Sequence, residues 1–290
     1  MKITEKVIFK WQMNKKDILK SLRLPVIVAP MFLVSGPELV IASSKAGLIG
    51  SFPGPNARTL EDLESWMKTI TSALNGQLWA FNMIAHNTYD RFQDELDLIA
   101  KFKPPIVITA LGSPSRVLET VHSYGGVVIA DVNTVDFAKK CADYGADGLA
   151  LVSHGAGGHT GTLSPFVFTS HVRDFFEGIV VLAGSISNGI HIRAAQCLGA
   201  DLCYMGTRFI ATDESIAVKE YKEMVINAKS TDLRLTNLFT GADAYYLKDS
   251  IINNNLTYIC LINLHATQHG SCFLYRIGKV LILINLTKMY

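Results

Sequence analysis

The stretch Ser-His-Gly-Ala-Gly-Gly-His-Thr-Gly, residues 153–161, places four glycines and two histidines in nine positions, directly after the apolar run Gly-Leu-Ala-Leu-Val. Three chemistries and one bland alternative fit such a segment. A metal site needs converging ligands, but His154 and His159 are five apart across glycines with no Cys, Asp or Glu beside them, which matches none of the usual zinc arrangements. No metal is expected. Positions without side chains let a planar ligand approach the backbone closely, and exposed amides bind anions. A histidine there can act as acid or base near neutral pH. His159, flanked by Gly157, Gly158 and Gly161, is the catalytic candidate, and His154 is expected to hydrogen-bond within its loop. The bland alternative is a tight turn.

Two further segments have the character of an anion site. Leu-Ala-Gly-Ser-Ile-Ser-Asn-Gly (182–189) offers Gly184 and Ser185, and Tyr-Met-Gly-Thr-Arg-Phe (204–209) offers Gly206 and Thr207, all small residues with accessible amides or a hydroxyl. Such residues hold phosphate through backbone N–H groups and the positive end of a helix, or simply cap the helices that follow. Ala-Pro-Met (29–31) and Phe-Asn-Met-Ile (81–84) add a methionine and an asparagine whose amide both donates and accepts.

The elements that must position these groups alternate. Short apolar runs suited to buried strands fall at 26–31, 48–52, 77–84, 106–111, 127–132, 148–153, 180–186 and 202–209. Between them lie helical stretches such as 37–47, 59–74, 113–125, 134–146, 164–176 and 189–200, several opening with Ser, Thr or Pro and ending at Gly. Eight β-α units in this order predict a (β/α)8 TIM barrel over residues 1–255, with the chemistry at the C-terminal ends of the strands. An open doubly wound sheet is the competitor, weakened because no dinucleotide Gly-x-Gly-x-x-Gly follows the first strand. Residues 256–290 break the pattern. They show no clear period, and no acidic residue follows Asp249, so this apolar tail is unassigned, and an altered ancestral C-terminus is the hypothesis for it.

Composition narrows the classes. With 49% hydrophobic residues, 18% charged and a net charge of +2, the chain can bury a large core, and it shows no basic, aromatic-interleaved surface for nucleic acid. No signal peptide or membrane-spanning run is evident. Five cysteines without a Cys-x-x-Cys pair suit a reducing compartment, so a cytoplasmic protein is expected. A homo-oligomer is compatible with these features.

Taken in order, the segments Ala-Pro-Met, Phe-Asn-Met-Ile, Gly-Ala-Gly-Gly-His-Thr-Gly, Leu-Ala-Gly-Ser-Ile-Ser-Asn-Gly and Gly-Ala-Asp-Leu-Cys-Tyr-Met-Gly-Thr-Arg-Phe resemble the nitronate monooxygenase family, formerly called 2-nitropropane dioxygenases, from about Leu24 to Ile251. The resemblance implies an FMN-binding barrel that oxidises alkyl nitronates, and in some cases nitroalkanes, with dioxygen to a carbonyl compound and nitrite. It implies that His159 is the active-site histidine. It also implies that Asn82, Gly157, Gly158, Gly184, Ser185, Tyr204, Met205, Gly206 and Thr207 hold FMN, with Met31 lining the flavin.

Three positions depart from the resemblance within the matched region. Members with Gln seven residues before the histidine and Glu three before it have Val152 and Ala156 as their counterparts here, and the second glycine of the usual Ala-Gly-Gly-Ile is Ser185. An FMN-dependent enoyl-thioester reductase using NAD(P)H is the nearest alternative, and a flavin-binding barrel without turnover is another. An aldolase or isomerase is disfavoured because no strand-end lysine or paired carboxylates suit it.

Overall fold

The computed structural model describes residues 15–254. The expected apolar tail at 256–290 lies outside them. Eight parallel strands form one sheet: β1 (Val26–Val28), β2 (Gly50–Pro53), β3 (Trp79–Ile84), β4 (Ile106–Ala110), β5 (Val127–Val132), β6 (Gly148–Val152), β8 (Ile179–Ala183) and β9 (Leu202–Met205). The intervening β7 (Gly158–His159) belongs to a separate small sheet. The large sheet closes on itself: β1 pairs with β9, and Val28 N donates to Ile49 O at 2.8 Å while Ile49 N donates to Val26 O at 3.0 Å. The chain therefore folds as a (β/α)8 barrel.

Side-chain alternation sorts each strand into two faces. Ile27, Ile49, Ala80, Ile108, Ile129, Ala150 and Val181 turn into the lumen and pack together fully buried. Their neighbours turn outward against the helices α2 (Pro37–Lys45), α3 (Leu60–Leu74), α4 (Phe92–Phe102), α5 (Ser115–Ser123), α6 (Val135–Asp143), α7 (Pro165–Arg173) and α8 (Gly189–Cys197). Near-continuous apolar strands are the expected result, because both faces are covered. The bottom of the lumen is plugged by α1 (Lys15–Ser21), whose Ile18 joins the lumen cluster.

Capping fixes where the helices begin. Thr59 Oγ1 accepts from Asp62 N at 3.1 Å and Asp62 returns the bond to Thr59 N at 3.3 Å, a reciprocal box that starts α3. After β9 come α9 (Thr207–Ile210) and α10 (Lys219–Asn227), then β10 (Leu233–Thr236), β11 (Ala244–Leu247) and α11 (Lys248–Asn253). The antiparallel order β10-β11-β7 makes a three-stranded flap that ends on the histidine loop. None of the described helices is long and apolar enough to cross a membrane.

Candidate active site

The histidine loop leaves the top of β6 and is tied down on both sides. Ser153 is fully buried, its N–H and hydroxyl both donating to Ala183 O on β8. His154 N donates to Leu163 O at 2.7 Å, and Ser185 N donates to Gly155 O at 2.8 Å. Thr160 N donates to Asp243 O at 2.9 Å, and Ala244 pairs with His159 across β11 and β7. The loop is thus a bridge between the barrel rim and the flap.

Within this bridge the two histidines have different partners. His159 Nε2 lies 3.0 Å from Thr240 Oγ1, and the Thr240 hydroxyl donates to Ala242 O at 3.2 Å. With its single hydrogen committed there, the hydroxyl accepts from Nε2–H, an assignment made from the hydrogen-bond network. That tautomer leaves Nδ1 as the ring's lone-pair nitrogen. The imidazole keeps an exposed edge, but the protein packed around the rest of it lowers its pKa below the ordinary histidine value. His159 is therefore neutral at pH 7. His154 bonds outside its own loop: its Nε2 lies 3.3 Å from the Tyr245 hydroxyl, with the rings edge-on at 6.2 Å.

Several of the sequence candidates converge beside this loop. A Cβ on Gly157 would stand 3.1 Å from Thr207 Oγ1, and one on Gly206 would stand 3.2 Å from Met31 Sδ. Met31 is fixed from its own loop and from the turn after β2, its N–H donating to Ser35 Oγ at 3.0 Å and its carbonyl accepting from Asn56 Nδ2 at 3.0 Å. A Cβ on Gly158 would meet open space, whereas one on Gly155 or Gly184 would run into Ser185 or Ser153. Within the histidine loop, open space therefore lies beside Gly158, while Gly157 lets the loop approach Thr207 closely. The glycines at 155 and 184 serve the close approach of one loop to the other.

Two candidates are placed differently from their expected contacts. Ser185 has φ +54°, a left-handed backbone, and its N–H is spent on Gly155 O, so that amide is not free for an anion. The free donors on that side belong to the exposed first turn of α8, capped by Asn188, and to the first turn of α9 at Thr207. Met205 points away from the mouth and packs in the cluster between barrel and helices, leaving only its carbonyl, which accepts from Ala29 N at 3.1 Å. This follows from strand alternation: Tyr204 points in, so Met205 points out.

The lumen side of the mouth carries a polar layer. Asn82 Nδ2 donates to Ile108 O at 3.3 Å, and the Tyr204 hydroxyl donates to Asp131 Oδ1 at 3.3 Å. Burial pushes the Asp131 carboxyl up to about 7, against the hydrogen bond from Tyr204, which lowers it. Val152 and Ala156, the two departures beside the histidine, pack apolar in the same lumen cluster. Asp131, Thr240 and Tyr245 were missed as partners by motif reasoning. For Asp131 there was a signal: it ends an apolar strand whose alternation turns it inward.

The raised Asp131 carboxyl makes a stability prediction. A carboxyl whose folded pKa lies above its unfolded value of about 3.9 contributes stability that is complete below that value and is lost as pH rises toward 7. Each unit across the window is worth about 1.4 kcal/mol. Urea unfolding of the ligand-free protein at pH 5 and pH 8 is expected to show a smaller pH dependence for Asp131→Asn than for the unaltered chain; equal dependences would contradict the assignment.

The fold and the mouth together define a (β/α)8 barrel whose small-residue loops after β8 and β9 face a neutral histidine. The family model for nitronate monooxygenase matches residues 59–270, and the chain belongs to that family. The match continues past Ile251, where the sequence resemblance was expected to end. The chain is 28% identical over 230 residues to a (3aS,4S,5R,7aS)-5-hydroxy-7a-methyl-1-oxo-octahydro-1H-indene-4-carboxyl-CoA dehydrogenase of Rhodococcus jostii, covering 79% of this chain and 64% of that protein. It is 28% identical over 214 residues to a probable nitronate monooxygenase of Staphylococcus haemolyticus, covering 69% and 58%. The chain thus spans about three fifths of the length of these two relatives. Among solved structures, FabK from Thermotoga maritima superposes with a TM-score of 0.74 at 26% identity, covering 87% of this chain and 80% of that one.

Proposed function

We propose that the chain is an FMN-dependent oxidoreductase that oxidises alkyl nitronates, and nitroalkanes after proton removal, with dioxygen to a carbonyl compound and nitrite. Membership of the family supports the reaction class. The single structural observation that carries it is His159, held by Thr240 at the edge of a mouth where Gly158 beside it leaves open space. Flavin mononucleotide, when bound, supplies the redox chemistry, while the protein supplies orientation and local charge.

The residues present fit such a group. Gly157, Gly158, Met31, Gly206 and Thr207 would border it, with Asn82 and Tyr204 below. The first turns of α8 and α9 offer N–H donors to its phosphate, next to Gly184 and Ser185. The Ser185 side chain and backbone shape that loop, and Met205 contributes backbone only. His159 acts on the substrate: its neutral ring accepts the proton from the carbon bearing the nitro group, and the imidazolium then formed pairs with the nitronate charge. Thr240 keeps the ring in place through both states, since an Nε2–H is present in each.

A second reading is an acyl-thioester oxidoreductase using NAD(P)H. The similarity to a carboxyl-CoA dehydrogenase supports it, as does the lack of a fixed positive charge on the four described mouth groups Asn82, Asp131, Tyr204 and His159. Oxygen uptake separates the two. Uptake with an alkyl nitronate and no pyridine nucleotide is the expected result; NADH-dependent reduction of an enoyl thioester with no nitronate-driven uptake would overturn the first reading. The protein is expected to act in the cytoplasm on small molecules.

A further inference from the structure

Strand β5 turns Val127, Ile129 and Asp131 into the lumen, two apolar residues beneath one carboxyl. Asp131 Oδ1 takes the Tyr204 hydroxyl, whereas Oδ2 makes no hydrogen bond within the described residues. No Lys, Arg or His forms an ion pair with Asp131 among those residues either. A half-buried carboxyl at a barrel mouth with one oxygen unspent and no cation beside it is costly in the free protein. Its local partner, Tyr204, points it rather than neutralising it.

Chemical complementarity limits what the second oxygen can bind. An ionised carboxylate accepts hydrogen bonds and donates none. The oxidised isoalloxazine ring presents acceptors along its polar edge and one N–H donor, the imide at N3. Asn82, on the lumen side of β3, can serve either kind of neighbour through its amide. Once ionised, Asp131 can serve only the donor.

We propose that Asp131 Oδ2 accepts the imide N3–H of the bound flavin, and that its charge makes reduction of that flavin less favourable. The proposal rests on the flavin-binding reading above. Reduction of the ring adds electron density near a fixed negative charge, so the carboxylate stabilises the oxidised form relative to the reduced one. Tyr204 is a positioning residue in this account, holding Oδ1 so that Oδ2 faces the mouth.

The test compares the unaltered protein with Asp131→Asn, each loaded with flavin mononucleotide, by dye equilibration at pH 8, where the carboxyl is ionised. The variant is expected to hold at least about tenfold more reduced flavin at a given potential, a rise of about 30 mV for a two-electron couple. Equal potentials would overturn the proposal. A second measurement needs no variant: the unaltered protein is expected to bind N3-methyl flavin mononucleotide at least about tenfold more weakly than the parent flavin, about 1.4 kcal/mol, and equal affinity would overturn it. Failure of the unaltered protein to take up either flavin would remove the flavin reading and this proposal with it. A bound flavin with unchanged potential and full tolerance of the methyl group would remove only the assignment of Asp131.

Discussion

Replacing His159 by asparagine is expected to lower turnover of a neutral nitroalkane by about 10²- to 10⁴-fold while flavin stays bound. The β7–β11 pairing that holds the loop is made by the backbone, so it survives loss of the Nε2 contact to Thr240. What is lost is a neutral ring nitrogen able to take a proton near pH 7. Turnover of a nitronate already formed in solution is expected to fall far less, because it needs no base. Steady-state oxygen consumption with the two substrate forms measures both effects, and an unchanged rate with the nitroalkane would remove the base role. The sign of the pH dependence follows from the lowered pKa: burial favours the neutral ring, so nitroalkane activity should fall off at a lower pH than an ordinary histidine would set.

Gly155→Ala is the second large effect. Gly155 sits at φ +85°, and a Cβ there would fall on Ser185 Oγ, on the residue whose N–H bonds to the Gly155 carbonyl. An L side chain in that conformation costs about 1–3 kcal/mol before the collision is counted. The loop after β6 must therefore shift from the loop after β8, and these loops form two walls of the mouth. Unfolding stability is expected to fall by at least about 1 kcal/mol, and flavin affinity by about tenfold or more, since 1.4 kcal/mol corresponds to tenfold. The double variant with Ser185→Gly removes the hydroxyl from the collision but leaves the positive φ. Partial recovery is its expected result in urea unfolding and flavin titration; a harmless Gly155→Ala would contradict the loop packing described here.

The barrel was legible because every strand is buried on both faces. Apolar runs such as 148–152 and 180–183 appear as uninterrupted blocks, and the eight blocks coincide with the eight barrel strands to within a few residues. The flap was not legible, for the complementary reason. Leu233–Thr236 is mostly exposed, β7 is two residues long, and a glycine-rich pair such as Gly158–His159 carries no strand pattern until Ala244 and Tyr245 pair with it. The 11-residue α4 between β3 and β4 was likewise not singled out, although its buried Phe92, Glu95 and Ile99 are spaced for one helical face.

Site residues divided along the same line. Motif position put Met31, Gly157, Gly206 and Thr207 at strand ends of one barrel face, and there Gly157 lies against Thr207 and Gly206 against Met31. Motif position alone could not tell inward Tyr204 from outward Met205, although alternation along β9 does. Nor could it supply the partners of the histidines. Thr240 and Tyr245 lie more than eighty residues away in sequence, on an element that only the folded chain brings over the mouth.

The claim on which the site assignments rest is that this mouth holds a flavin. The visible absorption spectrum of the purified protein, taken after incubation with flavin mononucleotide and removal of the excess by gel filtration, tests it directly. The account predicts retained flavin bands near 370 and 450 nm, on the order of one flavin per chain, as a single ring in one barrel mouth requires. A protein that folds but emerges colourless would contradict it.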